Sequence, residues 1–208
     1  MVASAPIESK AEWANALRSE FVARGFRVAL SSVESPNVPA FVTHPQLLKI
    51  SQSGPVTPDH VIRTKRLPLV VKDLASLGVS FDQYAKEYEH YFVRNTESKK
   101  VIRTQLDTLP RVVIVPGVGV YTAGATPKDS TIANDIYRHS INVILDAEDV
   151  GTYSALEEGD IFDVEYWILE QNKLKLGTKR SPLSGKVAVV TGGAAGIGGA
   201  IATELRAQ

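Results

Sequence analysis

An α/β fold, a layered sheet with flanking helices, is what these 208 residues predict, on three observations. Apolar runs of strand length alternate with longer segments in which apolar residues recur every three or four positions. Glycines mark several changeovers, as at Gly117–Gly124 and Gly192–Gly198. The composition, 44% hydrophobic and 22% charged, is that of a globular chain able to bury one good core.

Residues 1–9 read as a flexible start. From Lys10 to Arg24, Trp13, Leu17 and Phe21 recur at every fourth position among charges, which predicts an amphipathic helix ended by Gly25. Phe26 to Leu30 reads as a short strand and Ser31 to Pro39 as a turn-rich loop. Ala40 to Pro45 then leads to a brief helical run over Gln46–Ser51. Pro55 and Pro58 hold the chain extended ahead of a strand at Leu67–Val71. Phe81 to Asn95 is a helix with an aromatic stripe of Phe81, Tyr84, Tyr88 and Tyr91 or Phe92, read as core packing. A charged linker, Thr96–Thr104, precedes a buried strand at Arg111–Pro116, and the glycine-rich turn from Gly117 runs into a second strand. Asp129, Ser130 and Thr131 are candidate caps for a helix reaching Ala147. That helix would bury Ile132, Ile136, Ser140 and Val143 or Ile144. Glu157 to Leu176 carries Ile161, Val164, Trp167 and Ile168 at helical spacing. The α/β domain therefore spans 10–178, with a linker at 179–185.

Residues 186–208 have a different character. Lys186-Val-Ala-Val-Val190 reads as a buried parallel strand, followed by a glycine turn and the start of a helix. In such a turn Thr191, Gly192, Gly193, Gly196, Ile197 and Gly198 let the backbone approach a pyrophosphate, which sits on the free N–H groups of the helix start.

Charge and composition exclude several classes. The formal net charge is zero, so no field of one sign draws the chain to nucleic acid or an anionic membrane. The absence of cysteine excludes disulfides and thiolate chemistry. No apolar run approaches the about 20 residues of a membrane helix, and the N-terminus lacks the pattern of a secretory signal. A cytoplasmic setting is the expectation, with no nucleic-acid or membrane partner.

The most distinctive stretch of the middle is Thr57-Pro-Asp-His60-Val-Ile-Arg63-Thr-Lys65-Arg66. It reads either as a solvated loop whose cations pair with nearby acids or as an anion site. In the second reading His60, Arg63, Lys65 and Arg66 face a phosphate ester or a carboxylate.

Thr57 to Leu69, Val164-Glu-Tyr-Trp-Ile-Leu-Glu170 and the Thr-Gly-x-x-x-Gly-x-Gly turn, taken together, resemble the bifunctional class II aldolase/short-chain dehydrogenases of the rhamnulose-phosphate aldolase/lactaldehyde dehydrogenase type. The resemblance covers roughly residues 16–208. It implies a sugar phosphate or aldehyde as substrate, NAD as cofactor of the complete polypeptide, carbohydrate (rhamnose) metabolism and homo-oligomerisation. It also implies that 186–208 is the truncated start of the dehydrogenase's Rossmann domain, docked on the body, swapped into a neighbour or disordered. The dehydrogenase Ser, Tyr and Lys would lie beyond Gln208, so no NAD is expected on these residues alone.

In the aldolase family zinc sits on a His-x-His pair and a third histidine in a later strand–turn. This chain has four histidines, His44, His60, His90 and His139, and no His-x-His. Val42-Thr-His44-Pro resembles the pair with its first histidine lost, and Val118 stands where the third would be. The middle of the chain is thus expected to be a degenerate aldolase/adducin-like fold without zinc. If so, residues 111–147 form strand, strand and helix on a shared sheet. Three functions follow: a catalytically incompetent part of the bifunctional enzyme; a non-catalytic sugar-phosphate-binding or oligomerisation module; and, least supported, a metalloaldolase using His44, His60 and Asp59.

Overall fold

The most apolar strand of the chain lies inside its sheet. In the computed structural model, which describes residues 9–175, 183 and 186–207, β3 (Val112–Val115) is buried along its whole length. It lies between β2 (Leu69–Val70) and β4 (Gly119–Gly124), and β1 (Ala29–Ser32) completes the order β1-β4-β3-β2. β1 and β3 run antiparallel to β4, whereas β2 is parallel to β3.

Alternation along β3 divides the core. Val112 and Ile114 point to one face, where they meet Phe41 of α2 (Val38–Val42), Ile50 of α3 (Leu47–Ser51), and Tyr137 and Ile141 of α6 (Pro127–Val150). Val113 and Val115 point to the other, with Trp13, Leu17 and Phe21 of α1 (Lys10–Ala23) and Phe81 of α5 (Leu77–Lys99). With both faces covered, β3 has no need of polar alternation. A smaller third cluster joins Tyr88 and Tyr91 of α5 to Phe162 of α7 (Glu158–Glu165) and to Tyr166.

Two local devices fix the sheet's ends. Val115-Pro116-Gly117-Val118 is a tight turn closed by Val118 N–H donating to the Val115 carbonyl at 3.0 Å. Gly117 has φ +75°, which suits the third position of a type II turn behind a proline. At the other end of the hairpin, β4 runs into α6 so closely that a Cβ on Gly124 would collide with the backbone of Asp129 and Ser130. Residues 111–147 therefore do form strand, strand and helix on one sheet.

Several elements differ from expectation. The first strand lies at Ala29–Ser32, displaced toward the predicted loop, because its partner is β4, whose register sets Ala29 opposite Gly124. Part of that loop is the helix α2, with Pro39 in its first turn. The cap of α6 is Thr126, whose hydroxyl accepts from Asp129 N–H at 3.1 Å, ahead of the three residues anticipated. The buried face is also rotated, to Ala133, Tyr137, Ser140, Ile141 and Ile144. The expected helix 157–176 breaks at Tyr166–Trp167 into α7 and α8 (Ile168–Lys175), leaving Trp167 and Ile168 exposed. Lys186–Val190 forms no strand: Val187 and Val189 are 95% and 90% exposed, and α9 (Gly196–Ala207) buries no residue. A parallel strand needs neighbours to hydrogen-bond and layers to cover it, and the described residues supply neither.

Candidate functional site

A short helix, α4 (Val61–Thr64), ends in a backbone conformation that L-residues rarely adopt: Lys65 has φ 64° and ψ 168°. That turn carries the Lys65 side chain inward, so the residue is 5% exposed. Its Nζ donates to the Asp107 carbonyl at 2.6 Å and lies 3.9 Å from the centroid of the Tyr88 ring. Burial lowers the Lys65 pKa from 10.5 to about 8, against the opposing field of Glu165.

Glu165 closes the other side of this arrangement. It is fully buried at the end of α7, where the Tyr88 hydroxyl donates to Oε1 at 2.8 Å and the Tyr91 hydroxyl to Oε2 at 2.9 Å. Tyr88 and Tyr166 hydroxyls are also 2.8 Å apart. Burial raises the Glu165 pKa, while Lys65 and the two tyrosine hydroxyls pull it down. The aromatic stripe of α5 is therefore core packing with a polar purpose, since its hydroxyls satisfy a carboxylate that has left water.

Lys65 also borders a cavity of about 210 Å³ between α4, the end of β4 and the start of α6, lined by Arg63, Arg111, Asp107, Asp129, Gly124 and Ala125. Arg63 meets Asp129 at 3.4 Å, and Arg111 pairs with Asp107. Three cations against two carboxylates leave the lining net positive. Its volume falls below the roughly 300–1,000 Å³ of pockets for drug-sized ligands, which favours a small anion-bearing molecule.

The four residues singled out in the sequence do not converge on one point. Arg63 and Lys65 share this cavity. Arg66 turns to Glu158 at 3.2 Å and stacks over Tyr91, on the wall of a separate groove of about 340 Å³. His60 faces a void of about 10 Å³ that it shares with Ser51 and Tyr137; its Nδ1 and Ser51 Oγ are both buried without a hydrogen-bond partner. Sequence reasoning missed Arg111 and Glu165. Arg111 was placed in a strand, and Glu165 served only as part of a signature; a glutamate at an otherwise apolar helical position was the available signal.

Three positions bear on zinc. Gly117 N–H donates to the Val42 carbonyl at 3.0 Å, which brings the turn holding Val118 against the Val42–His44 stretch. The positions corresponding to the family's zinc ligands are thus neighbours, yet two of them are valines. His44 is the imidazole that remains there, and its Nδ1 accepts from Gln46 N–H at 3.1 Å. No group of three or more metal-ligating side chains occurs among the described residues. This residue set does not fit zinc.

In the glycine turn Gly192 and Gly196 have φ +67° and +58°, and a Cβ on Gly198 would run into Thr191 and Gly192 backbone. The glycines there are required by the backbone path. Thr191, Gly192, Gly196 and Ile197 are exposed and Gly193 and Gly198 half-buried, all ahead of or within the first turn of α9.

Residues 8–174 match the family described as "Aldolase class II, second domain". The chain is also similar to the uncharacterized oxidoreductase YuxG of Bacillus subtilis (strain 168), 34% identical over 194 residues, which cover 88% of this chain and 27% of the relative. The chain thus spans about a quarter of the length of that curated relative. No solved structure matches. Among the described residues no helix is long and apolar enough to cross a membrane.

Proposed function

The chain belongs to the class II aldolase second-domain family, and on that premise we propose that it is the aldolase-derived part of a bifunctional sugar-phosphate aldolase/NAD-dependent aldehyde dehydrogenase. In this reading it holds a small phosphorylated carbonyl compound without zinc. The observation that carries the binding role is the convergence of Arg63, Lys65 and Arg111 on one cavity of about 210 Å³. Arginine guanidinium groups grip a phosphate by paired hydrogen bonds, and here Asp129 and Asp107 hold both ready in the ligand-free state. The name of the Bacillus subtilis relative supports a link to oxidoreductase chemistry, which belongs to the longer polypeptide in this reading. When NAD is bound there, the Thr191–Gly198 turn supplies the backbone cradle for its pyrophosphate.

Isothermal titration with dihydroxyacetone phosphate tests the binding site. Arg63→Ala and Arg111→Ala should each weaken binding about tenfold, the loss of one charge-assisted contact of about 1.4 kcal/mol. Arg66→Ala should not, because that side chain faces Glu158. Equal affinity in all four proteins, or binding by none, overturns the site. Ketose-phosphate cleavage should be absent and should stay absent when zinc is added.

A second reading, an oligomerisation module, draws on the consecutive exposed apolar residues Trp167, Ile168 and Leu169, at 52%, 64% and 59% exposure. Sedimentation of the wild type and of Trp167→Glu distinguishes it; a monomer in both cases removes it.

A further inference from the structure

We infer that Lys65 is a covalent carbonyl-binding residue, its amine condensing with the aldehyde or ketone of a phosphorylated ligand held by Arg63 and Arg111. This inference rests on the binding role proposed above for the same cavity. The geometry supplies four requirements. Lys65 lines the cavity, and its amine, against the carbonyl of the cavity residue Asp107, is shielded from bulk water. Its partners, the Asp107 carbonyl and the face of Tyr88, carry no full negative charge, so they hold the ammonium less firmly than a carboxylate would. Among the described residues no carboxylate pairs with Nζ: the Asp107 side chain is taken by Arg111 and the Glu165 oxygens by Tyr88 and Tyr91. Finally, the left-handed backbone at Lys65 is the kind of strain that persists where a side chain must point one way. A glycine would relieve that strain, yet a lysine stands there.

The step balances without a further reactant. The Nζ lone pair attacks the carbonyl carbon, a C–N bond forms, and an N–H proton moves to the former carbonyl oxygen to give a carbinolamine. Loss of that oxygen as water, with the second N–H proton, leaves a C=N bond to Lys65. The groups facing Nζ during this step are Tyr88 on α5, Glu165 on α7, and Asp107 and Arg111 ahead of β3. The neutral amine that the attack requires is accessible because the Lys65 pKa is lowered to about 8.

The test is reductive trapping on the full chain. Protein is incubated at pH 8 with dihydroxyacetone phosphate, reduced with sodium borohydride, digested and mapped by mass spectrometry. The expected result is a stable adduct on the peptide containing Lys65, suppressed by excess inorganic phosphate and reduced about tenfold in Arg63→Ala. Lys65→Arg should lose the adduct, whereas Arg66→Ala, whose side chain faces Glu158, should keep it. Should Lys65→Arg fail to fold, phosphate competition on the wild type decides alone. Binding in the titration without a Lys65 adduct overturns this inference and leaves the binding role standing. Labelling spread over surface lysines and insensitive to phosphate overturns it as well, and absence of binding removes both.

Discussion

Lys65 concentrates the two costs that folding usually avoids, a buried cation and a left-handed backbone. Its pKa, about 8 in the folded chain against 10.5 ordinarily, has a definite consequence for stability. Between those values the unfolded chain binds more protons than the folded one, so stability rises with pH across that window and is lost as pH falls through 8. Glu165, Asp107, Arg111 and Tyr88 are the groups around it, and all remain in Lys65→Met. Urea midpoints at pH 7.5 and 9.5 should therefore show the wild type gaining on Lys65→Met as pH rises; a constant difference would show that Lys65 is not desolvated. Glu165 is the complementary residue. Glu165→Ala strands the Tyr91 hydroxyl, leaves the Tyr88 hydroxyl with Tyr166 alone and removes the largest field opposing the desolvation of Lys65, so a loss of about 3–5 kcal/mol is expected. Glu165→Gln, which can still accept one hydroxyl, should lose less. Equal urea midpoints for the two variants would contradict that ordering.

Elements whose pattern is set by their own burial were legible in the sequence; those set by distant partners were not. β3 showed in four consecutive apolar residues, and α1 and α5 showed in their aromatic spacing, since each needs just one covered stripe or two covered faces. The α7–α8 break was hidden because Ile161, Val164, Trp167 and Ile168 keep helical spacing through it. It occurs where Tyr166 must turn into the α5 tyrosines, 78 residues away from Tyr88 in sequence. The same separation concealed the Glu165 arrangement and half of the cavity: Arg63 and Lys65 are local to one motif, whereas Arg111 arrives with β3. The strand, strand and helix of 111–147 were legible from their own residues; what the resemblance added was that they share one sheet. α6 illustrates the limit at a helix start. Thr126 accepts from Asp129 N–H, and its hydroxyl donates to Asp129 Oδ2 at 2.8 Å, which also steadies the acid that meets Arg63. Thr126→Ala should cost about 1 kcal/mol in denaturant unfolding. It should also loosen Asp129, so weaker dihydroxyacetone phosphate binding is expected with it; a cap loss with unchanged binding would detach Asp129 from the site.

At the scale of the molecule, stability resides in the sheet and the layers on its two faces. Both large clusters draw solely on residues between Trp13 and Tyr153, and the third on Tyr88 to Tyr166. The glycine turn and α9 contribute no buried residue, with Ile197 and Ile201 at 82% and 48% exposure. Exposed apolar side chains of that kind add nothing to folding free energy by burial, because no area leaves water. Removing residues 186–208 should therefore leave the thermal midpoint within a degree of the full chain, with a single cooperative transition. A burial term of even 1 kcal/mol would move the midpoint by about 2–4 °C for a chain of this size. The comparison by differential scanning calorimetry is thus sensitive enough to decide. A drop of several degrees would place α9 against the body in solution, and the dihydroxyacetone phosphate titration repeated on the shortened chain would then show whether that contact reaches the Lys65 cavity or only the surface.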